Sequence, residues 1–166
     1  REQAKPEGIA QAFLIAESFI GRDAVTLILG DNIFSGDDTF PRAVAEFAGG
    51  ATIFAYHVHD PQRYGVVEFD TSGRAISLEE KPKQPRSKFA VTGLYFYDAD
   101  VVDIAANLKP SARGELEITD AIQWLVNNGY SVHPYIHRGW WIDTGKPMDM
   151  LEANKRVLDE LEHAIS

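Results

Sequence analysis

Cysteine is absent from this 166-residue chain. That excludes disulfides, thiolate zinc sites and cysteine nucleophiles together, and it fits a reducing compartment. Basic residues are also scarce: 16 Lys and Arg stand against 25 Asp and Glu, a formal net charge of -9 at pH 7. A surface that negative repels phosphate backbones and anionic lipids, which argues against nucleic-acid and membrane partners. No uninterrupted apolar stretch approaches the ~20 residues needed to span a bilayer. The N-terminus has no signal-peptide pattern, so the default location is the cytoplasm. Arg1-Glu2-Gln3-Ala4-Lys5-Pro6 opens without Met in a polar stretch that reads as the interior of a longer chain.

What remains is ordinary globular material, 45% hydrophobic and 25% charged, outside the range of disordered or collagen-like chains. The length suits one domain of roughly 100–200 residues. Folding at this size removes about 70% of the unfolded surface from water.

Helix and strand patterns alternate. Ile9, Ala12, Phe13, Ala16 and Phe19 recur at helical spacing over residues 8–19. Residues 24–29 form a nearly continuous apolar run, which suits a strand buried on both faces of a parallel sheet. A helix is predicted over 40–48 and a strand over 52–58. Residues 64–69 and 75–80 are β-rich runs joined by Asp70-Thr71-Ser72-Gly73, a hairpin signature. A strand at 89–97, helices at 99–108 and 115–127, and a strand at 130–136 follow. A last helix opens at Pro147, a residue favoured at the first helical position, with Leu151, Leu158, Leu161 and Ile165 on one stripe. This order predicts one α/β unit, a Rossmann-like mixed and mainly parallel sheet flanked by helices, with an inserted β-hairpin.

Ligands in open α/β sheets bind beyond the carboxyl ends of strands. Asp31 stands there, directly after the apolar run, and a carboxylate so placed suits Mg²⁺; taken alone, Gly30-Asp31-Asn32 reads first as a plain turn. Asp143 follows Trp140-Trp141-Ile142, where a carboxylate beside indoles calls for a cation or donor; it reads equally as a helix cap. In Glu79-Glu80-Lys81-Pro82, Pro82 restricts Lys81 to extended backbone, and alternation sends Glu80 and Lys81 to opposite faces unless the strand twists. The alternative is a solvated charged strand end. Arg113, just before a predicted helix, either completes an anion site with the helix N-terminus or pairs with Glu115 or Glu117. Tyr64-Gly65 either meets a sugar or packs on the core. His57, His59, His133 and His137 have no third good ligand nearby for zinc.

Six segments in this order resemble the sugar-1-phosphate nucleotidylyltransferases, in particular those that use dTTP. They are Leu29-Gly30-Asp31-Asn32-Ile33-Phe34, Arg63-Tyr64-Gly65-Val66-Val67-Glu68-Phe69, Glu79-Glu80-Lys81-Pro82, Val91-Thr92-Gly93-Leu94-Tyr95-Phe96-Tyr97-Asp98, the stretch from Leu108 to Asp120 containing Arg113, and Trp141-Ile142-Asp143-Thr144-Gly145. The likeness implies that Gln3 and Gly8 contact the pyrimidine base and that Asp31 and Asp143 hold catalytic Mg²⁺. It implies that Tyr64, Gly65, Glu80 and Val91 form a glucose pocket in the hairpin part, with Lys81 and Arg113 as the catalytic cations on the sugar phosphate. It also implies a homo-oligomer that converts glucose 1-phosphate and dTTP to dTDP-glucose and pyrophosphate. The alternatives are a UTP-using relative and a non-catalytic sugar-phosphate-binding or assembly module. The family's G-G-x-G-T-R loop has no counterpart here. Residues 1–166 therefore read as the central and C-terminal portion of one nucleotidyltransferase domain, with no second domain. Such a portion is expected to turn over weakly by itself and to expose apolar sheet surface.

Overall fold

A computed structural model describes residues 2–36 and 38–165, with side chains through residue 161. Arg1 and the side chain of Ile165 lie outside the described residues. The helices are α1 (Gln11–Ile20), α2 (Thr39–Glu46), α3 (Asp100–Asn107), α4 (Ile118–Asn127) and α5 (Pro147–Ile165). The strands are β1 (Val25–Ile28), β2 (Asn32–Ser35), β3 (Ala51–His57), β4 (Gly65–Phe69), β5 (Ala75–Glu80), β6 (Phe89–Tyr97), β7 (Val132–Ile136) and β8 (Trp140–Asp143).

β6 organises the molecule. Its alternation of aromatic, aliphatic and small residues is buried on both faces, so it takes neighbours on both edges and layers above and below. β3 runs along one edge and carries β7 beyond it. The other edge is shared, β4 pairing with the start of β6 and β1 with its end. β5 completes the sheet beyond β4. On one face, Ile53, Ala55, Tyr95 and Tyr97 pack with Phe13 of α1, Val101 and Ile104 of α3, and Ile122 and Leu125 of α4. On the other, Phe54, Leu94 and Phe96 pack with Ala43 of α2, Phe34 and Phe40.

The mixed sheet flanked by helices is as the sequence predicts, and the β4–β5 hairpin closes as expected. Asp70 Oδ1 accepts the backbone N–H groups of Ser72 and Arg74, both at 2.9 Å, and Gly73 supplies φ +81°. The balance of pairings differs from the expected one. Only β3–β7 is parallel among the described pairs; the others are antiparallel. β1 is also not buried on both faces, since Thr26 and Ile28 are exposed, Ile28 at 62%. The doubly buried strands are instead β3 and β6, which lie inside the sheet. The apolar stripe of α5 faces outward too: Leu151, Leu158 and Leu161 are half-exposed or more, and among its described side chains Ala153 is the buried one. Among the described residues no helix is long and apolar enough to cross a membrane.

A second, two-stranded sheet was not expected. β2 and β8 pair antiparallel across more than a hundred residues of chain, with Asn32 opposite Asp143 and Phe34 opposite Trp141. This small sheet positions the candidate site.

Candidate active site

Because Asn32 and Asp143 are register partners, the residue before one and the residue after the other meet at the sheet's end. Thr144 donates both its N–H and its Oγ1 to the Asp31 carbonyl, each at 2.8 Å. The Asp31 and Asp143 carboxylates converge there. A Cβ placed on Gly145 would lie 3.1 Å from Asp143 Oδ1 and 3.7 Å from Asp31 Oδ2. The turn at Gly30-Asp31-Asn32 forms, with Asn32 N–H on Leu29 O at 3.2 Å. Asp143 Oδ1 accepts Gly145 N–H at 2.9 Å in a turn ahead of α5 and does not cap the helix, which begins at Pro147. Both carboxylates line one cavity of about 250 Å³.

The same cavity is lined by Tyr64, Gly65, Glu80, Lys81 and Val91. Gly65 pairs with Glu80 across the hairpin, and its missing side chain is what makes room. A Cβ there would stand 2.6 Å from Thr119 Cγ2 and 3.1 Å from Glu80 Oε2. Thr119 Oγ1, near the start of α4, donates to Glu80 Oε2 at 3.2 Å. Tyr64 is half-buried with its ring edge-on to Trp141 at 5.3 Å, so it packs and lines the cavity together.

Lys81 departs from the expected extended backbone. Its φ is +44°, the one positive φ outside glycine among the described residues. Left-handed backbone costs a side-chain-bearing residue about 1–2 kcal/mol, and here Lys81 N–H donates to Tyr64 O at 3.0 Å, extending the hairpin ladder and holding the twist. The twist is the one that alternation demanded: Glu80 and Lys81 now line the same cavity, with Nζ 3.8 Å from Glu80 Oε1. Burial raises the Glu80 carboxyl above its ordinary pKa, with a further push from Glu117; Lys81, Thr119 and Arg113 oppose this.

That shift has a sign that can be tested. A carboxyl whose folded pKa is raised binds its proton better in the folded state, so its contribution is fully favourable below the unfolded pKa, about 4.3, and is lost as pH rises through the folded pKa. Glu80→Gln is therefore expected to unfold at higher urea concentration than the unmutated chain at pH 7. The two should converge below about pH 4. A site residue that costs stability while ionised is one retained for a purpose other than stability.

Three expected site residues lie apart from the cavity lining. Arg113 does not precede a helix directly, because α4 begins at Ile118. Its guanidinium is engaged by Glu115 at 3.1 Å and Glu117 at 3.2 Å, the pairing alternative, and touches the site only through Glu80 at 3.6 Å. Gln3 is exposed and bonded to Gln11. Gly8, at φ +107°, is demanded by backbone packing: a Cβ would fall 2.4 Å from Leu116 O. The adjacent indoles point to opposite faces, as strand neighbours must. Trp141 lines the cavity, whereas Trp140 Nε1 donates to Glu160 at 2.6 Å.

Asn32 was legible only as part of a turn, and it is the hub of the site. Its Oδ1 accepts from Gly93 N–H at 2.8 Å and Trp141 Nε1 at 2.7 Å, while its Nδ2 donates to Asp31 Oδ1 at 2.9 Å. Gly93 must lack a side chain, since a Cβ would lie 2.6 Å from the Asn32 amide carbon. Tyr95 and Thr119 also line the cavity without any sequence signal that separates them from ordinary core positions.

Two convergent carboxylates form a donor set of the kind Mg²⁺ accepts, with one or two acidic ligands and the rest from water and phosphate. A half-buried hydrogen-bond acceptor beside an ammonium suits a hydroxylated, anionic small molecule. The family described as Nucleotidyl transferase matches residues 1–160. Glucose-1-phosphate thymidylyltransferases of Neisseria meningitidis and Mycolicibacterium smegmatis are 52% and 54% identical over 91% and 93% of this chain, and 54% of each relative. The chain thus spans about half the length of the curated relatives it matches. A Bacillus anthracis structure, described as a glucose-1-phosphate thymidylyltransferase in complex with sucrose, superposes with a TM-score of 0.83 at 43% identity, covering 93% of this chain and 63% of that one. A UDP-glucose pyrophosphorylase solved with UDP-glucose shares the fold, with a TM-score of 0.85 at 22% identity over 95% of this chain and 64% of that one. With the six sequence segments, the paired carboxylates and a family match across nearly the whole length in agreement, the chain belongs to the nucleotidyl transferase family.

Proposed function

We propose that this chain forms the sugar-phosphate half of a site that joins glucose 1-phosphate to dTTP, releasing pyrophosphate and giving dTDP-glucose. The observation that carries the reading is the convergence of Asp31 and Asp143 on the cavity that Glu80 and Lys81 also line. In the reaction, a sugar-phosphate oxygen attacks the α-phosphorus of the nucleotide as the bond to the pyrophosphate oxygen breaks. The attacking phosphate is already ionised, so no general base is needed; positioning and charge neutralisation carry the catalysis.

Asp31 and Asp143 would hold Mg²⁺, which when bound supplies Lewis-acid stabilisation of the phosphoryl oxygens. Glu80 accepts hydrogen bonds from sugar hydroxyls, with Thr119 orienting its carboxylate. Lys81, turned inward by its left-handed backbone, offsets the charge of the sugar phosphate. Arg113 acts through Glu80, as the guanidinium nearest that carboxylate outside the hairpin. The wall of Trp141 and Tyr64 excludes water from one side of the sugar.

Calorimetric titration with glucose 1-phosphate in the presence of Mg²⁺ tests the reading on this chain. Saturable binding is expected, weakened about tenfold by Lys81→Met, the size of one charge-assisted hydrogen bond at a half-exposed site. An absence of binding, or binding that ignores Lys81→Met and Glu80→Gln, would favour an assembly role. Product formation by the complete chain with dTTP against UTP decides the nucleotide, and equal use of UTP would overturn the thymidylyl assignment.

A further inference from the structure

The cavity does not end at Asp143. A second hollow of about 400 Å³ shares Arg63, Tyr64, Lys81 and Asp143 with the first and adds Lys146 and Asp149. Its three cations are not equivalent. Arg63 is held by Asp60 at 3.0 Å and Asp149 at 2.9 Å. Lys81 leans on Glu80. Lys146 is exposed, and its ammonium makes no hydrogen bond or ion pair with any described residue.

Its backbone, in contrast, is fixed. The preceding turn is tied down by Thr144 on Asp31 O and by Gly145 on Asp143 Oδ1. The Lys146 carbonyl accepts Met150 N–H at 3.2 Å as α5 begins. An uncommitted ammonium is thus anchored three residues beyond one member of the carboxylate pair. Two acids share its hollow: Asp149 is already paired with Arg63, and Asp143 is the proposed Mg²⁺ ligand, so an anion entering that space with the metal bound meets both Lys81 and Lys146.

The geometry points to Lys146 as a further substrate-binding residue, one that contacts a phosphoryl oxygen together with Lys81. This rests on the proposed function and adds to it a residue that the family likeness did not assign. The phosphoryl group belongs either to the sugar 1-phosphate or to the pyrophosphate portion of the nucleotide, and the chemistry of recognition is the same for both.

Titrating the chain separately with glucose 1-phosphate and with pyrophosphate, each with Mg²⁺, distinguishes the two sources. Lys146→Met is expected to weaken one of them by about tenfold, and the ligand affected identifies the source. Lys155→Met, which removes the same charge from an exposed position further along α5, should change both by less than about twofold. Lys146→Arg should retain most of the affinity, and thermal unfolding of each variant monitors the fold. Equal affinities for Lys146→Met and Lys155→Met, with the unmutated chain still binding, overturn the inference and leave the proposed function standing. Failure of the unmutated chain to bind either ligand removes the proposed function and this inference with it.

Discussion

Under the proposed function, Asp143→Asn in the complete enzyme is expected to lower the rate of dTDP-glucose formation by about 10²–10³-fold at saturating Mg²⁺, because several kcal/mol of charge stabilisation would depend on a negatively charged metal ligand. Asparagine is chosen over alanine because it separates the two roles this residue holds. As the acceptor of the Gly145 N–H at 2.9 Å, the carboxylate fastens the turn ahead of α5, and an asparagine Oδ1 accepts the same bond. A purely structural Asp143 would therefore give a variant of unchanged rate. As a cation ligand, it loses its charge with one atom exchanged and the backbone untouched. Asp31→Asn should behave in parallel, since its carboxylate approaches the same point. In both variants Mg²⁺ should cease to strengthen glucose 1-phosphate binding, a readout that does not depend on turnover. Unfolding temperatures within about a degree of the unmutated chain would confirm that charge, rather than the turn, was removed.

Gly139→Ala carries the largest expected effect on stability. A Cβ on Gly139 would stand 1.7 Å from the Ser35 carbonyl oxygen and 3.0 Å from Gly36 Cα. Both obstacles are backbone, so no rotamer change relieves them. The two-stranded sheet of β2 and β8 must open at that end, at a cost of about 3 kcal/mol, the upper part of the range for overpacking. That corresponds to a fall of about 6–12 °C in the unfolding temperature of a chain this size. Because the same sheet sets Asn32 opposite Asp143, glucose 1-phosphate binding should weaken as well, although Gly139 lines neither hollow. A variant that unfolds at the original temperature would show that β2 and β8 are not packed as described.

Much of the fold was legible because it follows from local signals. The nine residues of β6 and the six of β5 end where their β-rich composition ends, and the Asp70–Gly73 turn is written in its side chains. β2 was invisible for a corresponding reason. Asn32–Ser35 is four residues long, has no strand periodicity, and finds its partner more than a hundred positions away. The double burial assigned to residues 24–29 failed because hydrophobic content alone does not say which strand lies inside a sheet; β3 took that place.

The site divides along similar lines. The chemical types were all readable: carboxylates after strands, a charged strand end, an arginine among glutamates. For Arg113 the two readings were evenly balanced, and the answer came from Glu115, Glu117 and Glu80 meeting around one guanidinium. For Lys81 the local rule pointed the wrong way. Pro82 favours extended backbone at the preceding residue, but a hydrogen bond to Tyr64 O and the neighbouring carboxylate of Glu80 hold it left-handed.

Residue chemistry, its order along the chain and the strong short-range elements were determined by the sequence alone, because propensity and periodicity act between near neighbours. Convergence was decided by the tertiary structure. Asp31 meets Asp143 only because β2 pairs with β8, and Lys81 joins Glu80 only because the hairpin end twists. Such long-range pairings gain their energy from contacts that no local window contains, so the cavity becomes readable only once the chain has closed around it.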